Sequence, residues 1–301
     1  MTGHRALAEV APEAAVLLDG LGGARPIGPR RLALVRSACA AVHGLAPLRD
    51  HGARPSEDPA DEPTAGDDVV VELAERFSAD VSAVDDGLRE RFVAVCGGRT
   101  FETVQAVYLA DMVPRARAAL DALFGSGDGW PAPRPHEHAA GSWALIEEFI
   151  RVVHNLDAVD PVTSEVVRLR GARQHRCRLC QSLRSRPALA AGAGEELWDA
   201  IDGPAPRLSP GHRAAVALTD GMIWTPGRLG PDVVADVRSQ FTPVQAVELV
   251  LDVMRNAANK IAVALGADEA HVTEGIEVYE IDADGTTRYG LDVPAPDPSG
   301  R

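Results

Sequence analysis

Aromatic residues are scarce in this chain, at 4% of the sequence. A core short of rings must be built from Ala, Val and Leu, a mixture that favours packed helices over sheets. Cysteine is scarce as well: four residues, Cys39, Cys96, Cys177 and Cys180, in 301. That is too few for the disulfide framework of a secreted domain. No run of ~18 uncharged apolar residues occurs, the length a membrane-spanning helix needs. The first ten residues mix His4, Arg5 and Glu9 with no apolar stretch, unlike a secretory signal. Together these absences read as a cytosolic (cytoplasmic) protein that does not engage a membrane. Positive charge is also in deficit, with 30 Lys and Arg against 44 Asp and Glu and a net charge of −14. Such a surface repels the phosphates of nucleic acid and anionic lipid, so no nucleic-acid partner is expected. No Gly-x-Gly-x-x-Gly run sits between a strand and a helix, so no nucleotide, flavin or haem cofactor is expected.

What is present is 46% hydrophobic residues, enough for a substantial core in one large domain or two ordinary ones. Apolar residues recur at helical spacing over Val69 to Phe77, Phe101 to Phe124, Trp143 to Leu156, Val162 to Leu169 and Val244 to Leu265. Typical helix lengths predict roughly seven to eleven helices, and the fold class is all-α. Asp160-Pro161 marks a helix start, an N-cap followed by Pro at the first helical position. Gly266 marks the end of the helix closing at Leu265. Two stretches, Arg49 to Asp67 and Gly125 to His138, are rich in breakers and read as linkers. The alternation of Ile276 to Ile281, the turn Ala283-Asp284-Gly285 and Thr286 to Tyr289 predict a small C-terminal β-hairpin.

The chain also echoes itself. Phe101, Val104, Gln105, Ala106 and Val107 recur 140 residues later as Phe241, Val244, Gln245, Ala246 and Val247, with Leu109 and Arg115 opposite Leu249 and Arg255. One residue out of register, Cys39 aligns with Cys180 and Arg36 with Cys177. Self-similarity on this scale predicts two tandem helical repeats packed as a pseudo-dimer.

The chemistry is expected at Cys177-x-x-Cys180. The segment Glu165 to Arg186 holds seven arginines and one acid, a local reversal of the overall charge. Guanidinium groups, and a position at the start of a helix, both favour a thiolate. Gly171 and Gln174 leave room for a helix break before Cys177, which would set both thiols on one face. Other readings stand beside this one. The pair could be half of a zinc site with His175 or His212, although tetrahedral zinc needs four ligands and no second cysteine pair exists. His136-Glu-His138 is metal-like but lies in a linker. Glu165 could simply pair with Arg168 three residues on, and the arginines could be salt-bridge residues. Trp143, Trp198 and Trp224 are expected at helix contacts.

The spacing of Glu165, eleven residues, Cys177-x-x-Cys180, with the apolar pattern from Leu218 through Phe241 to Leu265, resembles the carboxymuconolactone decarboxylase and alkylhydroperoxidase D-like family. In its peroxidase branch the motif is Glu-x11-Cys-x2-Cys-x3-His; three positions match, and Arg184 stands where the family has histidine. The resemblance implies an alkylhydroperoxidase D-like helical bundle and homo-oligomers. It divides the chain into an N-terminal segment (1–29), a degenerate first repeat (30–125), a Pro/Gly linker (126–141), a second repeat carrying the cysteines (142–270) and a hairpin with tail (271–301). It further implies hydroperoxide reduction without a cofactor or metal, with Cys180 attacking, Cys177 resolving and Glu165 relaying protons. A thiol protein or low-molecular-weight thiol would be the reductant. Arginine cannot act as a base, so either Glu165 works alone or His175 substitutes. The family's other branch implies a decarboxylase- or isomerase-like enzyme on a small carboxylate held by Arg173, Arg176 or Arg184, and a third outcome is a non-enzymatic helical assembly protein. In the first repeat, Cys39-x3-His43 copies half the motif, with Arg36 and Ala24 at the other two positions.

Overall fold

A computed structural model describes residues 1–48, 66–127, 129–131, 141–202 and 207–294. The first half contains α1 (Gly3–Val10), α2 (Pro12–Gly23), α3 (Pro29–His43), α4 (Asp67–Asp80), α5 (Asp86–Cys96) and α6 (Thr100–Phe124). Then follow α7 (Gly141–His154), α8 (Pro161–Gln174), α9 (Arg178–Ser182), α10 (Arg186–Ala190) and α11 (Glu195–Ala200). The chain continues through α12 (Pro210–Trp224), α13 (Pro231–Gln240), α14 (Pro243–Asn256) and α15 (Asn259–Leu265). Three short strands, β1 (Leu183–Ser185), β2 (Glu277–Ile281) and β3 (Thr287–Arg288), form one small sheet.

The protein is therefore mostly helical, as expected, but the described residues hold more helices than seven to eleven. The surplus consists of segments of one or two turns, such as α9, α10 and α11, whose length is below what periodicity can register. The expected single helix from Val244 to Leu265 is two: α14 ends at Asn256 and α15 begins at Asn259. That break separates Asn256 from Asn259. Asp160 does cap α8, accepting the N–H groups of Val162 and Thr163 at 3.0 Å each. Gly266 ends α15 at φ 68°, a left-handed conformation open to a residue without Cβ. Asp67, assigned to a linker, opens α4 and binds Arg30 and Arg31. Residues 49–65 of that linker, and His136 and His138, lie outside the described residues.

The centre of the molecule is α6, buried on nearly all sides from Thr103 to Leu123. A helix apolar all round belongs inside a core, and α6 packs against α1, α2, α3 and α14. One apolar core runs from Ala6 to Ala264. A smaller one gathers Val166, Leu169, Ala188, Trp198 and Ile201 beneath α8.

Polar groups enter this core as well. The chain's one lysine, Lys260, is buried, and its ammonium donates to Asp111 at 2.6 Å. Arg115, also buried, donates to the same carboxylate at 2.7 Å and to the carbonyls of Ser78, Met222 and Ile223. Burial alone would raise the Asp111 pKa, but the two cations outweigh it and hold it down at about 2.

The C-terminal hairpin forms where expected, with β2 and β3 antiparallel and Ile281 opposite Thr287. The sequence reading missed its other edge: β2 pairs in parallel with β1, Leu183 opposite Glu277. The hairpin is also anchored to α7, since His154 donates to the Ile281 carbonyl at 3.0 Å and Asn155 to the Ala283 carbonyl at 2.9 Å. It is thereby held against the segment that follows the cysteines.

Candidate active site

The helix break before the cysteines comes at His175 and Arg176, later than Gly171, which stays inside α8. Arg176 adopts φ 52°, a left-handed turn that costs a residue with a side chain of order 1 kcal/mol. The turn leaves Cys177 at the N-cap of α9, where its sulfur accepts the N–H of Cys180 at 3.2 Å. With Cα atoms 5.3 Å apart the two cysteines stand close enough to form a disulfide. Cys177 is buried and Cys180 half-buried. Asp268 fixes the start of α9 by accepting the Arg178 N–H at 2.8 Å and its guanidinium at 2.9 Å.

Glu165 is buried and held on both oxygens. Arg168 donates to them at 2.5 and 2.7 Å, and the N–H of Ser185 donates at 3.0 Å. The same guanidinium donates to the carbonyls of Cys180 and Leu183 at 2.7 and 2.8 Å. The plain reading of Glu165 as the partner of Arg168 is therefore the geometry observed. The pair ties α8 to the segment after the cysteines, and the bonds given to the carboxylate go to Arg168 and Ser185 rather than to sulfur.

His175 is brought to the cysteines indirectly. Its Nδ1 lies 3.0 Å from Oδ1 of Asn259, whose Nδ2 donates to the Cys180 sulfur at 3.5 Å. Burial lowers the His175 pKa to about 3, with the nearby Lys260 charge adding to the effect. A neutral imidazole carrying its proton on Nδ1 donates to the amide oxygen and so turns the amide N–H toward sulfur. A donor aimed at sulfur favours the thiolate over the thiol. Asn259 was not read from the sequence; the only signal was a pair of asparagines, poor helix formers, at the interruption of an otherwise continuous helix.

The arginine run is paired. Arg168 binds Glu165, Arg170 binds Asp202 and Asp220, and Arg173 binds Asp202. Arg178 binds Asp268, Arg184 binds Glu195 and Arg186 binds Glu280. The charge reversal seen in the sequence is thus cancelled in space by acids from distant segments. Arg184 is buried at β1, bonded also to the carbonyls of Gln181 and Leu183. The bonds given to its guanidinium go to Glu195 and these carbonyls, none to sulfur. Arg173 and Arg184, expected to grip a carboxylate substrate, are both engaged with protein acids, while Arg176 is exposed. Among the described residues no group of three or more His, Cys, Asp and Glu is arranged to hold a metal ion. Trp198 is fully buried, and Trp224 is 40% exposed with its indole N–H donating to Gln174 at 2.8 Å.

Cys180 opens onto a pocket of about 140 Å³ between α8, α14, α15 and the hairpin. Its walls include Arg168, Arg255, Asn256, Asn259, Tyr279 and Tyr289, and no acid. On the far side of Arg168, Arg255, Tyr279 and Ile281, which line both spaces, lies a second cavity of about 270 Å³. That one is lined by Asp157, Asp160, Glu165, Glu248, Asp252 and Glu280. Glu248 accepts the N–H groups of Ala158 and Val159 at 2.9 and 3.1 Å, and burial still raises its pKa to about 7.

No known protein-family profile matches the chain, and no solved structure matches it. The chain is 44% identical over 272 residues to two Mycobacterium tuberculosis proteins described as uncharacterized, MT2376 and Rv2313c. The match covers 87% of this chain and 93% of each relative.

Proposed function

We propose that this chain, which belongs to the same family as MT2376 and Rv2313c, is a dithiol oxidoreductase that reduces small hydroperoxides at Cys180. The observation that carries the proposal is the placement of the two sulfurs. Cys180 lines a pocket, and Cys177 lies buried behind it within disulfide distance. An attacking thiol needs access, and a resolving thiol needs only to reach the attacking one.

In the reaction the Cys180 thiolate attacks the terminal peroxide oxygen. The sulfur–oxygen bond forms as the oxygen–oxygen bond breaks, and the alkoxide leaves with the electron pair to be protonated by solvent. The resulting sulfenic acid condenses with the Cys177 thiol, releasing water and giving the disulfide. An external dithiol then restores both thiols, taking the disulfide in exchange. His175 and Asn259 act on the first step by keeping an N–H donor on the sulfur.

The spacing from Glu165 to Cys180 supports reading the chain as a tandem relative of the carboxymuconolactone decarboxylase and alkylhydroperoxidase D-like proteins. A second support is a pair of similar trios, Ser78–Asp111–Arg115 and Ser164–Asp252–Arg255, one in each half. The cytosol, where thiol reductants abound, suits this chemistry.

The test is peptide mapping by mass spectrometry of the reduced protein before and after one equivalent of tert-butyl hydroperoxide. Loss of two thiols and a new Cys177–Cys180 disulfide is expected within seconds to minutes. Thiols that survive many equivalents unchanged would remove the proposal.

A further inference from the structure

Asn256 is the last residue of α14 and lines the Cys180 pocket. Its side-chain nitrogen is buried and has no hydrogen-bond partner among the described residues. A buried amide donor without a partner costs about 1–3 kcal/mol, so native proteins keep few of them and those few call for an explanation. Four such atoms occur among the described residues, on Glu102, Arg117, Trp198 and Asn256. Of these four residues, Asn256 is the one that lines the pocket of the reactive sulfur.

The surroundings fit one use for that donor. Asn259, one helical turn on across the break between α14 and α15, has its amide N–H on the Cys180 sulfur. Asn256 therefore brings a second amide-bearing residue to the wall of the same pocket, with its nitrogen bonded neither to the sulfur nor to any other described group. The pocket walls carry two arginines and no carboxylate, although the chain as a whole carries 44 acids. Acids are abundant just beyond the shared wall, where Asp252 holds Arg255 at 2.8 Å and Glu165 holds Arg168. A space so lined favours negative charge that develops within it.

We infer that Asn256 is a catalytic residue that donates to the leaving oxygen of the hydroperoxide. The inference rests on the hydroperoxide reading above. As sulfur attacks the terminal oxygen, the second oxygen takes the electron pair of the breaking bond. Its charge grows from near zero toward that of an alkoxide. A donor with no competing partner to give up stabilises that charge more than it stabilises the neutral peroxide, which is what lowers a barrier. Bound substrate also relieves the unpartnered donor. The pocket volume confines the alcohol side of the substrate to a small group set against Leu183, Ile281 and the rings of Tyr279 and Tyr289.

The experiment uses the full chain carrying Cys177→Ser, so that the sulfenic acid is not resolved and can be trapped. Asn256→Ala and Asn256→Ser are added to it. Two reactions of Cys180 are timed at one pH: sulfenic acid formation with tert-butyl hydroperoxide, and alkylation by iodoacetamide. Both need the thiolate in the same pocket, but in alkylation iodide departs and no oxyanion develops. The expected result is a fall of about 100-fold in the peroxide rate for Asn256→Ala, the lower end of the range for loss of one oxyanion donor. Alkylation is expected to stay within about twofold, and Asn256→Ser, which keeps a donor, to recover part of the loss. Equal falls in both reactions would make Asn256 a support for the thiol and overturn the inference, as would a peroxide rate unchanged in Asn256→Ala. If Cys177→Ser alone forms no sulfenic acid, the hydroperoxide reading itself fails and takes this inference with it.

Discussion

Cys39 and Cys180 occupy matching places in the self-similar sequence, and the structure gives them opposite surroundings. Cys39 is closed in by α4 and α6, its sulfur 3.8 and 3.9 Å from the carbonyl oxygens of Ala74 and Val107. Burial, with the nearby Asp111 charge, pushes its thiol well above the ordinary range. Cys180 faces a pocket and an amide donor. The polar groups nearby differ in the same way. In the first half, the trio Ser78–Asp111–Arg115 is buried and bonded to Lys260 and to the carbonyls of Met222 and Ile223. In the second, Ser164 and Asp252 line the larger cavity while Arg255 lines both it and the cysteine pocket. Similar groups can therefore brace a core or wall a site. What decides between the two is whether space is left beside them.

The comparison is broken most sharply by exchanging the cysteines for serine. Cys180→Ser should lower hydroperoxide consumption at least ~1,000-fold, since a hydroxyl is a far weaker nucleophile than a thiolate. Cys39→Ser should leave it within about twofold. The assay is peroxide loss in the presence of dithiothreitol, and comparable losses in the two variants would erase the distinction.

Next in size is the cost of opening each trio. Asp111→Asn strands two buried cations and should destabilise the protein by ~3–5 kcal/mol. Asp252→Asn, with one cation beside a cavity that can admit water, should cost nearer ~2 kcal/mol. Urea unfolding of the two variants measures both, and equal costs would mean that the open trio is braced as firmly as the closed one.

A third prediction concerns pH. The Glu248 pKa is raised to about 7 from its usual 4.5, so its contribution to stability is complete below pH 4.5 and is lost as pH rises through 7. Glu248→Gln removes the titration. The stability of the parent relative to this variant should therefore fall by as much as ~3 kcal/mol between pH 4.5 and 8.5. A difference constant with pH would show that the cavity does not penalise the charge. The smallest effect is expected from Asn259→Leu, which removes the donor from sulfur. The Cys180 thiol pKa should rise by about one unit, slowing alkylation at pH 7 about tenfold. An unchanged pKa would leave the amide without influence.

The sequence revealed those parts of the molecule that depend on local pattern. Long amphipathic helices, the Asp160 cap, the Gly266 stop and the C-terminal hairpin all follow from residues close together in the chain. The cysteine pair and its place at the start of a helix were legible for the same reason. Three parts of the site were not. The arginine run reads as a positive patch only until Asp202, Asp220, Asp268 and Glu280 fold onto it from 16 to 94 residues beyond its last arginine, Arg186. The parallel pairing of β1 with β2 joins a three-residue strand that no periodicity marks to the five-residue strand that the alternation does mark. Asn259 reaches Cys180 only because α14 and α15 are separate helices, a break with neither Gly nor Pro to signal it.

In the proposed reaction Cys180 is the attacking thiol, and Cys39 is inert. Brief labelling of the reduced, folded protein with iodoacetamide at pH 7, followed by peptide mapping, tests it most directly. The prediction is that Cys180 is modified first, Cys177 more slowly, and Cys39 only after denaturation. Modification of Cys39 at a rate matching Cys180, or of Cys177 ahead of Cys180, would contradict it.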